Sequence, residues 1–93
     1  RAYIIYGSSS LSITSATNAD LIITGESSSR FGYSVSNAGD INNDNYDDII
    51  IGAYRYNSGQ GRAYIIYGSS SLSVTSATNA DLIITGESSN NYF

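Results

Sequence analysis

Half of the acidic residues in this chain, four of eight, lie in one nine-residue window, DINNDNYDD, from Asp40 to Asp48. Oxygen-bearing side chains fall at Asp40, Asn42, Asp44 and Asp48, which are positions 1, 3, 5 and 9 of the window. Alternate residues of a tight loop line its concave side, so the 1-3-5 spacing brings three oxygen ligands together. Tyr46, at position 7, contributes its backbone carbonyl, and Asp48 closes the cage. A hard cation such as Ca²⁺ takes six to eight oxygens at about 2.3–2.6 Å. Mg²⁺ suits the pattern less well, because it keeps several waters and takes few protein ligands. Position 6 requires a left-handed backbone, and Asn45 is the residue that tolerates one best after glycine. An EF-hand would place Glu at position 12 between helices, whereas position 12 here is Ile51, inside an apolar run. The alternative is an Asx-rich turn that binds nothing. Four carboxylates with no Arg or Lys among them repel one another, which favours the Ca²⁺ reading.

The elements that would hold this loop read as strands. Residues 32–38 alternate, residues 48–54 form an apolar run of the kind covered on both faces, and residues 63–67 and 81–85 form two more short strands. A Gly-rich turn spans 57–61, and residues 72–79 read as a long loop. No segment has helical periodicity beyond two turns.

The chain also repeats itself. The 29 residues from Arg1 recur from Arg62, an offset of 61, with two differences: Ile13 against Val74 and Ser29 against Asn90. Phe31 answers to Phe93 with one residue of slip. Residues 1–30 are therefore expected to be the second half of a preceding unit, 31–92 one full four-stranded unit, and 93 the start of the next. The fold class is all-β, built from antiparallel four-stranded units of β-propeller-blade type. Such a unit is apolar on both faces and needs a sheet stacked on each.

Composition excludes several chemistries. The 93 residues include no Lys, His, Cys, Met, Trp or Pro. A Ser-His-Asp triad, a thiol nucleophile, a Cys or His zinc site, a Schiff base and a P-loop are all ruled out. Four Arg against eight Asp and Glu give a net charge of -4, which argues against nucleic acid. No apolar run is long enough to span a membrane. No leader is recognisable, so a mature chain or a fragment is expected. There is no N-glycosylation sequon, and the Ser runs at 8–10, 27–29 and 69–71 read as solvated turns or sites for O-linked sugar. Tyr3, Tyr6, Tyr64 and Tyr67 read as packing residues between units. Arg55 is placed to form a salt bridge with Asp48.

Phe31-Gly32, the acidic loop and Gly52-Ala53 together resemble the FG-GAP repeat, found in the propeller of integrin α subunits and in many bacterial secreted proteins. The stretch FGYSVSNAGDINNDNYDDIIIGAY carries the likeness, and the preceding ITGE of Ile23–Glu26 is similar to the bacterial versions. Two positions depart from the family pattern: Asn45 stands where the loop has Gly, and Tyr54 where Pro follows Gly-Ala. The resemblance implies a non-catalytic, calcium-stabilised module of an extracellular or cell-surface scaffold, adhesin or filament. Its partners would be neighbouring repeats or other copies of the chain, with surface glycans or proteins beyond them. A propeller-type lyase or hydrolase fragment is the alternative, but Asp20, Glu26, Asp81 and Glu87 are isolated and offer no asymmetric acid pair. A consensus-designed propeller is a further one, since designed and recently expanded arrays share near-identical copies.

Overall fold

The computed structural model describes residues 1–6, 12, 15–70 and 72–93. The Ser run at 8–10 and Ser71 lie outside the described residues. Six strands form two antiparallel sheets. β1 (Ala2–Ile4) pairs with β2 (Leu21–Ile23), and β3 (Ser34–Gly39), β4 (Asp48–Ala53), β5 (Arg62–Ile66) and β6 (Leu82–Thr85) form a four-stranded meander in chain order. This is the all-β, blade-type unit that the alternating and apolar runs dictate. The strand ends differ from the expected ones by one or two residues. β3 starts at Ser34 because Phe31 and Gly32 are spent on the approach, where Gly32 takes φ 86° and its N–H donates to the Gly52 carbonyl at 3.1 Å.

The half unit reproduces the pairing of the full one. Ala2 faces Ile23 as Ala63 faces Ile84, and Ile4 faces Leu21 as Ile65 faces Leu82. Near-identical sequences thus adopt one register.

Cross-strand register divides the four-stranded sheet into two apolar faces. Ile49, Ile51 and Ala53 of β4 share one face with Tyr64, Ile66 and Ile83, while Ile50 shares the other with Ile65 and Leu82. The first face packs against Ala2, Leu21 and Ile23 of the two-stranded sheet, with Phe31 and Ala77 completing the core. Backbone bonds reinforce this joint. Thr24 N–H donates to the Thr75 carbonyl at 3.0 Å, and the Thr24 carbonyl accepts from Ala77 N–H at 2.8 Å.

The long loop between β5 and β6 contains one 3₁₀ turn, Ala77–Asn79, with its twin at Ala16–Asn18. The Gly-rich turn begins earlier than expected, as a single helical turn Tyr56–Gly59 in which Asn57 and Ser58 are both left-handed. Tyr64 is wholly buried, its ring edge-on to Phe31 at 5.1 Å, in agreement with a packing role. Two expectations need correcting. Among the described residues the ion pair is Arg62–Glu26 at 2.9 Å, not Arg55–Asp48, because Arg62 crosses the joint while the Asp48 oxygens face backbone donors. Within the Ser run 27–29, Ser29 is buried rather than solvated, its hydroxyl donating to the Glu26 carbonyl at 2.7 Å.

Candidate metal centre

The acidic loop connects β3 to β4, and its conformation follows from side chains that fold back onto the backbone. Asp40 Oδ1 accepts from Asp44 N–H at 3.0 Å and Oδ2 from Asn45 N–H at 2.7 Å, so one carboxylate closes the loop on itself. Asp44 Oδ1 accepts from Tyr46 N–H at 3.0 Å, and its Oδ2 from the Asn42 amide at 3.1 Å. Asn43 and Asn45 take φ values of 60° and 73°, the left-handed geometry anticipated for Asn45. The amide side chain makes that region tolerable without glycine.

Asp48 opens β4 and is buried. Its Oδ2 accepts from Ile41 N–H at 2.8 Å and its Oδ1 from Gly68 N–H at 2.9 Å. One carboxylate therefore ties the loop to its own strand and to the chain leaving β5. Gly68 is a requirement the sequence pattern did not disclose. A Cβ there would meet the Asp47 backbone and the Tyr46 side chain, so only glycine brings that N–H close enough. Asp47, omitted from the ligand set, turns away and accepts from the Asn37 amide at 3.2 Å.

Carboxylate oxygens of Asp40, Asp44 and Asp48 lie within 4.8 Å of one another. Desolvation works against ionisation of Asp40, but hydrogen bonds from Asp44 and Asn45 N–H outweigh it and hold the carboxyl below its ordinary value of 3.8. The donor set is all oxygen, and each ionised carboxylate has about four acceptor sites, so two bound N–H groups leave capacity for a cation. These residues fit a hard divalent ion. Asn42 and Tyr46 are tethered to Asp44, through the Asn42 amide and the Tyr46 N–H.

Three of the other acids, Asp20, Glu26 and Asp81, have structural partners. Asp20 accepts from Tyr6 N–H and Asp81 from Tyr67 N–H, each at 2.7 Å, the same contact made twice. Glu26 accepts from both Arg62 and the Tyr64 hydroxyl. Exact repetition of these acids between the copies was the available signal that they serve the fold.

An antiparallel blade-type sheet carrying an acidic loop between its first two strands defines the class as an all-β repeat module. More particularly, residues 31–66 match the family model of the FG-GAP repeat. The chain is similar to "Integrin alpha pat-2" of Caenorhabditis briggsae and of Caenorhabditis elegans, at 51% identity over 41 residues in each case. The match covers 43% of this chain and 3% of either relative. No solved structure matches the chain significantly. Among the described residues, no helix is long and apolar enough to cross a membrane.

Proposed function

We propose that the chain is a non-catalytic, calcium-binding structural repeat module of an extracellular or cell-surface scaffold, adhesin or filament. The observation that carries this reading is the convergence of Asp40, Asp44 and Asp48 within 4.8 Å on the loop of an FG-GAP repeat. Asp40, Asn42, Asp44, Asp48 and the Tyr46 carbonyl are the ligands. Similarity to proteins named as integrin α supports the surface address and protein partners, with neighbouring repeats as the immediate ones. The structural employment of Asp20, Glu26 and Asp81 supports a module without catalysis.

Calcium titration tests this. β-Modules of the extracellular kind bind at about 10⁻⁴–10⁻³ M. At ten-fold excess over such a Kd, the ion adds about 1.4 kcal/mol of stability. Asp44→Ala should abolish that increment. A wild-type chain that shows no calcium heat in calorimetry and melts identically in chelator would sink the proposal.

A further inference from the structure

A cavity of about 350 Å³ opens where the connection from β2 to β3 passes the turn after β4, and its wall is Ser27, Ser28, Arg55, Asn57 and Ser58. All five side chains form hydrogen bonds and none is a carboxylate. Both segments lie between described strands, 27–28 after β2 and 55–58 between β4 and β5. Bonds made around the cavity fix its wall. Arg55 N–H donates to the Ser29 carbonyl at 3.1 Å, which joins the two segments, and the Arg55 carbonyl accepts from Gly59 N–H at 3.3 Å. On one side the Ser29 hydroxyl donates to the Glu26 carbonyl at 2.7 Å, and on the other Asn57 Nδ2 donates to Gln60 Oε1 at 2.8 Å.

The positive charge in this cavity is uncompensated. Arg55 has no carboxylate partner among the described residues, where the ion pair is Arg62–Glu26. Glu26, the acid next to Ser27 in the chain, is occupied by Arg62 at 2.9 Å and by the Tyr64 hydroxyl. The hydroxyls of Ser27, Ser28 and Ser58 likewise have no protein partner among the described residues. A lone surface arginine is ordinarily satisfied by water. Here three unengaged hydroxyls and an amide converge on the same space as the guanidinium, in a chain whose net charge is -4.

We infer that this cavity binds a monoanionic sugar, a saccharide residue carrying one carboxylate or sulfate, with Arg55 holding the anionic group and Ser27, Ser28, Asn57 and Ser58 bonding the ring hydroxyls. A planar guanidinium offers two parallel N–H donors to the oxygens of such a group. Hydroxyl side chains both donate and accept, which suits a polyol. One arginine calls for one negative charge, and the net charge of -4 opposes a densely charged polyanion. A peptide gains its affinity from an apolar or aromatic anchor, and this wall offers no pocket for one. The volume is near the lower end of the range for small-ligand sites and fits a single sugar residue. The cavity shares no residue with the acidic loop, so sugar and cation bind independently.

Titration followed by NMR amide shifts tests it, in chelator so that acidic probes do not compete for calcium. The probes are methyl glucuronide, glucose sulfate, methyl glucoside, inorganic sulfate and N-acetyl-aspartate amide. Methyl glucuronide, glucose sulfate or both should bind at about 1 mM, as ligands of that size do, with shifts centred on Ser27, Ser28, Arg55 and Ser58. Which of the two binds tells a carboxylate from a sulfate. Methyl glucoside should bind roughly ten-fold more weakly, and Arg55→Gln should weaken the acidic sugar by the same factor, the loss of one charge-assisted contact. Ser28→Ala and Ser58→Ala should each weaken it roughly three-fold. These positions are exposed, and circular dichroism checks that each variant folds. No shift by about 50 mM of either acidic sugar, or an Arg55→Gln variant that binds as the parent does, would overturn the inference. So would inorganic sulfate binding as tightly as the sugars, which means an adventitious ion only, or the aspartate amide doing so, which means an acidic peptide. Added calcium should leave the sugar affinity unchanged, so failure of the cation reading has no bearing on this cavity.

Discussion

The Tyr64 hydroxyl donates to Glu26 Oε1 at 2.5 Å, across the joint between the two sheets, and the same oxygen receives Arg62 Nη1 at 2.9 Å. Packing of Tyr64 against Phe31 brings a buried ring and a charged acceptor together. The contact links sequence positions 38 residues apart and fixes how one unit sits on the next. Tyr64→Phe keeps the ring and removes the donor. A hydrogen bond to a charged group contributes about 1.5–3 kcal/mol, and Arg62 still satisfies the carboxylate, so a loss near 1.5 kcal/mol is expected. For a domain of this size that lowers Tm by roughly 6–12 °C. An unchanged thermal melt would show that the joint does not depend on this bond.

The same hydroxyl makes stability depend on alkaline pH. Burial first, then the hydrogen bond and charge of Glu26, push the Tyr64 hydroxyl above its ordinary value of 10.0, against a smaller opposite effect of Arg62. The unfolded chain then releases this proton at lower pH than the folded one. The stability contribution is full below about pH 10 and falls as pH rises toward the folded value. Melting curves from pH 8 to 11.5 should show Tm declining above pH 10, and Tyr64→Phe should flatten that decline. A parent Tm that rises across this range would contradict the assignment.

The repeat made β1, β2, β5 and β6 legible, because two copies of one sequence must share a register, and the Ile49–Ile51 run made β4 legible as a strand covered on both faces. The conformation of the acidic loop was legible from its Asx-rich pattern, down to the left-handed Asn45. What spacing could not disclose was the partner of each acid. Glu26 reads as isolated because Arg62 and Tyr64 arrive from the next unit, 36 and 38 residues on. Asp48 reads as a ligand alone because its donors, Ile41 N–H and Gly68 N–H, belong to the backbone and carry no residue signature. The left-handed Ser58 was hidden for a different reason: Ser has no marked preference for that region, and the turn imposes it.

Asn45 offers a backbone test of the loop. Its φ of 73° is a conformation that costs most L-residues about 1–2 kcal/mol and that a β-branched residue scarcely adopts. Asn45→Val should destabilise the chain by about that amount and weaken calcium binding by distorting the closure that Asp40 makes on Asn45 N–H. Asn45→Gly should keep both. Denaturant titration with and without calcium reads both effects, and a neutral Val variant would mean that the loop relaxes freely.

Asp48 separates the loop's structural work from the cation binding proposed for it. In chelator, no ion contributes, yet the buried Asp48 still accepts from Ile41 N–H in a part-buried bond and from Gly68 N–H in a buried one. Asp48→Ala strands both donors; the buried Gly68 N–H costs about 1–3 kcal/mol and the part-buried Ile41 N–H about 1 kcal/mol, so a loss of about 2–4 kcal/mol is expected even without calcium. Asp48→Asn keeps one acceptor oxygen but turns an NH₂ toward the other donor, and should fall between Ala and the parent. Asp44, by contrast, is exposed and bonds within the loop, so Asp44→Ala in chelator should cost no more than about 0.5 kcal/mol. Urea unfolding of the three variants in chelator orders them, with Asp48→Ala lowest and Asp44→Ala closest to the parent. If Asp48→Ala and Asp44→Ala lose equal stability without calcium, the carboxylate of Asp48 is not the anchor between the loop and the sheet.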